Sequence, residues 1–204
     1  MFLSPETFVV LSVMIFGLIH SLFARDFVKK KLYIINNYRG FYIINALFTL
    51  ILLTLIEMTF AKEGSKIDVI IKNPLLGSFF VLIGGFFFMG GLIQFYLSVG
   101  LERSKLIKTG FYAFSRHPIY LGGIVSLVSL GLFFIENTVH ISFIFSLAFY
   151  LFVGSLIEDY YLLRDFSDYA EYKNICGKYL PWRKKHLKFL FQNIKPKKKK
   201  VKVY

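Results

Sequence analysis

Residues 106–123 read LIKTGFYAFSRHPIYLGG, and the fold turns on what stands to either side of them. The stretch gathers Lys108, Tyr112, Arg116, His117 and Tyr120 around one proline, Pro118, between long apolar segments. A bilayer core offers no partners to unpaired donors, so such a cluster is stable only in water, inside protein or around a ligand. Working outward, 56% of the 204 residues are hydrophobic and 25 are phenylalanine. That exceeds the apolar share of an ordinary soluble domain. Several runs reach the roughly 20 residues needed to cross about 30 Å of hydrocarbon, and they lack the polar face that a surface helix carries. The sequence therefore predicts an all-α, polytopic membrane protein with about five transmembrane helices and a C-terminal amphipathic helix on the cytoplasmic side.

Taken in order, the expected spans are residues 7–24, 40–60, 74–99, 118–135 and 139–157. Pro5 suits the first turn of a helix and Glu6 its positive end. The first run begins at once without a basic leader, so it reads as a retained membrane helix rather than a signal peptide. Gly84-Gly85 and Gly90-Gly91 in the third span read as close helix packing, not as a phosphate loop. Gln94 and Tyr96, later in that span, are candidate pocket walls. Residues 158–175 read as one amphipathic helix, with Leu162, Phe166 and Tyr169 at helical spacing. Residues 1–182 form one membrane-embedded domain, and 183–204 a basic, disordered tail.

The net charge of +13 is unevenly spread: residues 178–204 hold eleven Lys or Arg and no Asp or Glu. On a membrane protein such a tail faces anionic lipid headgroups rather than nucleic acid. Residues 25–39 carry five basic residues, and Arg103, Lys105, Lys108 and Arg116 fall between spans three and four. The four-five turn has none. Positive-inside counting then gives five spans, the N-terminus outside and the C-terminus cytoplasmic. Arg116 and Glu158 fall on that same cytoplasmic side. Cys176 is the single cysteine, so no intramolecular disulfide can form. His20, His117, His140 and His186 show no paired ligand spacing, and no metal site is expected.

Arg116-His117-Pro118-Ile119-Tyr120-Leu121-Gly122 resembles the RHPxYxG motif of the integral-membrane methyltransferases, which act on isoprenylcysteine carboxylates, phospholipid amines or methanethiol. Glu158-Asp159, Leu162, Phe166, Tyr169, Tyr172 and Pro181 resemble that group's second motif, a Glu-Glu pair followed by leucine, an aromatic and two tyrosines. Together the two cover roughly residues 100–182. Three positions depart from the pattern: Ser104 replaces a histidine, Asp159 the second glutamate and Ser167 a glycine. The residues HSLFA at 20–24, with Tyr38-Arg39 and 42–45 after them, resemble the start of methanethiol S-methyltransferases.

The resemblance implies S-adenosylmethionine as cofactor and a membrane-accessible thiol or prenylcysteine carboxylate as methyl acceptor, the HSLFA start favouring a small thiol. It places cofactor contacts at Leu106, Ile107, Tyr112, His117, Pro118, Tyr120, Glu158 and Asp159. Arg116 and Glu158 are the candidate catalytic residues, Arg116 orienting an anionic substrate or the cofactor carboxylate. The side-chain chemistry agrees, because carboxylates meet an ammonium, cations meet a carboxylate and tyrosine faces attract a sulfonium. Two other readings stand beside this one. Sterol-reductase-type membrane enzymes with a nicotinamide cofactor are similar near an RHxNYxG motif, but here Pro118-Ile119 replaces their pattern. A non-catalytic membrane scaffold would accommodate the departures at Ser104, Asp159 and Ser167.

Overall fold

Three of the long helices start the same way, with a small polar residue accepting a backbone N–H and, in two of them, a proline next. Ser4 Oγ accepts from Thr7 N at 3.2 Å ahead of Pro5, and Asn73 Oδ1 from Leu76 N at 3.1 Å ahead of Pro74. Asn137 Oδ1 accepts from Val139 N at 2.9 Å and His140 N at 3.2 Å. Such caps satisfy the N–H groups that a helix start leaves unpaired, and proline loses nothing there. The computed structural model describes residues 3–23, 28, 38–99 and 106–194. It contains α1 (Pro5–Phe23), α2 (Tyr38–Phe60), a 3-10 turn (Ala61–Glu63), α3 (Pro74–Val99), α4 (Phe111–Phe114), α5 (Pro118–Phe133), α6 (Thr138–Asp165), α7 (Tyr169–Ile175) and α8 (Lys184–Asn193).

The fold is all-helical among the described residues, with one isolated bridge, Lys66 to Asn137. Pro5–Phe23, Ile44–Glu63, Pro74–Ser98 and Thr138–Asp165 are long and apolar enough to cross a membrane. The apolar α5 is shorter, at 16 residues, or about 24 Å of helix. The protein is thus an integral, multi-pass membrane protein with about five membrane helices, as the sequence predicts.

The chain divides into two compact units. The first comprises Met1–Ser78 and Leu127–Gly154. Its core is Val9, Val13, Leu53, Val139 and Phe143, flanked by Phe16, Phe60 and Tyr150. The buried Glu57 of α2 binds the His140 ring of α6, and Thr138 donates to Glu6. In apolar surroundings such polar groups need one another as partners.

The second unit comprises Phe79–Ser126 and Ser155–Tyr204. Here α3 and α5 touch through glycines: Gly84 shows the close packing expected of its span, whereas Gly85 meets nothing within 4 Å. A Cβ on Gly122 would lie 2.2 Å from Phe88 N and 2.5 Å from Gly84 O, so only glycine permits this backbone approach.

Two expectations are corrected in this unit. Residues 158–175 are not one helix: α6 runs on through Glu158 to Asp165, and α7 begins anew at Tyr169. Nothing between residues 157 and 165 breaks a helix, whereas Ser167 and Asp168, poor interior helix formers, sit in the turn. Nor is the chain structureless from 183, since α8 is helical and buries His186 and Leu190. The alternation of those two with lysines supplies the apolar face that docks it. Residues 195–204 lie outside the described residues, as do Ser104 and Ala24.

Candidate functional site

The second unit holds a cavity of about 260 Å³. Leu92 and Phe95 of α3 form one wall, and Leu106, Ile107 and Tyr112 come from the segment leading into and through α4. Arg116 and His117 precede α5, whose first turn adds Pro118, Ile119 and Tyr120. Glu158 and Leu162 come from the end of α6, then Phe166, Tyr169 and Tyr172. The first turn of α5 also brings the positive end of its dipole to the cavity.

Backbone pairing holds the Arg-His-Pro stretch in place. Arg116 N donates to Gly177 O at 3.2 Å, and Ser115 Oγ donates to Lys178 O at 2.7 Å while accepting from His117 N at 3.1 Å. The segment before it is fastened by Gln94, whose Nε2 donates to Thr109 O at 2.7 Å and whose Oε1 accepts from Phe111 N at 2.8 Å. Gly110 between them has φ +59°, a left-handed conformation suited to glycine. Gln94 is therefore a brace for the wall rather than the wall itself. Tyr96, the other expected wall residue, is 63% exposed, and its neighbours Leu92 and Phe95 do the lining.

The electrostatic centre is Asp159. Its Oδ2 accepts from Arg116 Nη2 at 3.1 Å and pairs with Lys178 Nζ at 3.3 Å. Its Oδ1 accepts from His117 Nε2 at 2.8 Å and from the Tyr169 hydroxyl. Because a carboxylate only accepts, His117 Nε2 carries a proton, and its Nδ1 is turned toward Glu158 Oε2 at 3.8 Å. Arg116 Nη1 donates to Lys173 O at 3.0 Å and Cys176 O at 3.3 Å. Its Nε is buried with no acceptor among the described residues. Burial, then the bond to Asp159, pushes the Tyr169 hydroxyl above its ordinary value, so it stays a proton donor.

Leu106, Ile107, Tyr112, Arg116, His117, Pro118, Tyr120 and Glu158 thus meet around one cavity. Asp159 is the exception among the expected cofactor contacts. One residue along a helix turns the side chain by about 100°, and Asp159 points to Arg116, His117, Tyr169 and Lys178 instead. Lys178 is the charged partner that the sequence reading omits. Its signal is faint, since it stands among the lysines of the tail.

His20 belongs to the first unit, its ring against Phe16 at 5.5 Å and Tyr150 at 6.2 Å. His186 beside Cys176 is not a nucleophile-activating pair. His186 Nδ1 accepts from Gly177 N at 3.0 Å, so Nε2 carries the proton and donates to Ala113 O at 3.0 Å. Burial pushes the Cys176 thiol up to about 11, far from the reactive thiolate range. No cluster of three metal-ligating side chains occurs among the described residues.

The cavity offers one carboxylate, a histidine, two accessible tyrosine rings and an apolar wall. Arg116 lines the cavity as its cation, with Nε enclosed and the two Nη atoms on Lys173 O, Cys176 O and Asp159, and Glu158 is an acceptor for a cationic group. This donor set fits a zwitterionic amino acid cofactor.

A family model described as "Protein of unknown function (DUF1295)" matches residues 23–176. Three curated proteins are similar over shorter stretches. A nickel-cobalt-cadmium resistance protein of Alcaligenes xylosoxydans xylosoxydans is 32% identical over 84 residues, 40% of this chain and 38% of its own length. The protein-S-isoprenylcysteine O-methyltransferase of Saccharomyces cerevisiae is 37% identical over 78 residues, 38% of this chain and 33% of its own. Methanethiol S-methyltransferase 1 of Bradyrhizobium diazoefficiens is 36% identical over 74 residues, 36% and 25% respectively. The chain thus spans well under half the length of these relatives. No solved structure matches.

Proposed function

The chain belongs to the DUF1295 family and is related to the integral-membrane methyltransferases; from that premise we propose that it is an S-adenosylmethionine-dependent methyltransferase. Its acceptor is a thiol or a prenylcysteine carboxylate at the cytoplasmic membrane face, with a small thiol favoured. The observation that carries this reading is the convergence of Glu158, His117, Tyr120 and Arg116 on one largely apolar cavity. These are the residues that the resemblance marks, and they come from elements far apart in the chain.

S-adenosylmethionine, when bound, supplies an electrophilic methyl on a sulfonium. Glu158 is the residue to hold the cofactor's ammonium, and Arg116 is the cation on the cavity wall that would attract its carboxylate. Tyr112 and Tyr120 offer ring faces to a cationic or aromatic group. Asp159 does not touch the ligand. It fixes the ring of His117 and spaces the guanidinium of Arg116, so the cavity's polar wall is set before anything binds. Leu92, Phe95, Ile119, Leu162 and Phe166 exclude water and give an apolar acceptor its surface. With the cofactor bound, this wall would hold the acceptor's sulfur or carboxylate oxygen toward the methyl; a thiol acceptor would enter as its thiolate, so no protein base is required, and the cofactor would leave as its neutral thioether. No side chain in the cavity needs to become covalently modified.

The test is transfer of labelled methyl from S-adenosylmethionine by the purified protein in lipid discs, offered short alkyl thiols and a farnesylcysteine analogue in parallel. Labelling of the thiol is expected. Labelling of farnesylcysteine alone overturns the preference for a small thiol. Labelling of neither, by a folded protein, overturns methyl transfer to this acceptor class.

A further inference from the structure

α8 has two unlike faces. His186 and Leu190 are buried, and His186 bonds Gly177 N and Ala113 O. Gly110 N donates to Asn193 O at 2.8 Å. These bonds fix the rotation of α8, so its other face is presented in one orientation. That face carries Leu187, Phe191 and Ile194, which share a stripe at spacings of four and three. Trp182 stands just before the helix. Trp182 is 70% exposed and Phe191 77%. Arg183, Lys184, Lys185 and Lys188 are exposed beside the stripe, and none of them forms an ion pair among the described residues. Residues 178–204 contain no acid. At ten residues, about 15 Å, α8 is too short to span a bilayer.

An apolar stripe edged by cations on a short helix matches the interface between headgroups and acyl chains. Tryptophan also prefers that depth. We propose that this face of α8, together with Trp182, docks on the anionic headgroup layer of the leaflet beside it. The charge selects the occupant. A second copy would bring the same four cations against these, whereas anionic headgroups neutralise them and the acyl boundary takes Phe191 and Leu187.

Trp182 is the only tryptophan in the chain, so tryptophan emission reads this spot alone. The full-length protein is placed in discs of zwitterionic phosphatidylcholine, or of phosphatidylcholine with phosphatidylglycerol, with part of the phosphatidylcholine brominated. In anionic discs the emission is expected to move to the blue and to be quenched by the brominated chains. Each lysine removed weakens docking about fivefold, so Lys184→Gln/Lys185→Gln/Lys188→Gln loses about a hundredfold and the dependence on anionic lipid. Emission that is identical in neutral and anionic discs overturns the proposal. So does a blue shift that brominated lipid fails to quench, which marks a protein contact such as a second copy. The readout is independent of methyl transfer.

Discussion

Asp159 and Glu158 are adjacent acids with opposite expected roles, and replacing each in turn separates them. Asp159→Asn keeps the shape and removes the charge. Asp159 meets Arg116 Nη2 at 3.1 Å, Lys178 Nζ at 3.3 Å and His117 Nε2 at 2.8 Å, and its residue is 8% exposed. Arg116 is equally buried, at 7%. Breaking one side of a buried pair leaves an uncompensated charge, and the lower end of that cost is about 3 kcal/mol. At roughly 2–4 °C per kcal/mol for a chain of this size, Tm falls by about 6–12 °C. Glu158 lines the cavity, and its side chain is 26% exposed, 3.8 Å from His117. Glu158→Gln therefore changes stability by less than about 1 kcal/mol. The assay is thermal unfolding of each purified variant in one detergent, followed by circular dichroism. Asp159→Asn melting within 2 °C of the wild type, or Glu158→Gln falling as far as Asp159→Asn, would refute the division into a structural hub and a ligand-facing acid.

Other expectations follow from single contacts. The Lys108–Asp168 pair, at 2.6 Å, ties the segment entering α4 to the turn before α7, and the hydrogen bond from Lys108 holds Asp168 below its ordinary value. A depressed carboxylate stabilises above its unfolded value and loses that contribution as pH falls through the folded one, so amide exchange at residues 106–110 should quicken only below about pH 4. Unchanged exchange down to acid unfolding would count against the tie. Cys176, buried with its thiol pushed up to about 11, should resist alkylation at pH 8 until the protein is denatured, and Cys176→Ser should keep methyl transfer within about twofold. Gly122→Ala would force α3 and α5 apart and destabilise by about 1–3 kcal/mol, measured as a fall in Tm, whereas alanine at Gly85, which meets nothing within 4 Å, should be nearly neutral.

What the sequence made legible depended on the kind of signal each element carries. The membrane helices were read from run length and the absence of polar faces, and α5 was placed by Pro118. The cavity's polar side was read from two motifs far apart in the chain. Its apolar wall was not: α3 is apolar all round, so no periodicity singles out Leu92 and Phe95 from their neighbours. The resemblance places Asp159 beside Glu158 as the second acid of a cofactor-binding pair, yet the helical turn sends the two to different partners. The end of α6 was misjudged because the second motif spans the break at Ser167 and Asp168. α8 was hidden by its lysines. His186, Leu190 and Asn193 recur at helical spacing opposite Lys184 and Lys188, a period that the lysine-rich composition of residues 195–204 obscures.

The most direct test of the central claim is calorimetric titration of the purified protein with S-adenosylhomocysteine, for the wild type and Glu158→Ala. Saturable binding to the wild type that is lost in Glu158→Ala, with both proteins folded, is the result expected of a cavity built around that acid. A folded wild type that takes up no S-adenosylhomocysteine, or a Glu158→Ala variant that binds it equally well, would contradict the account.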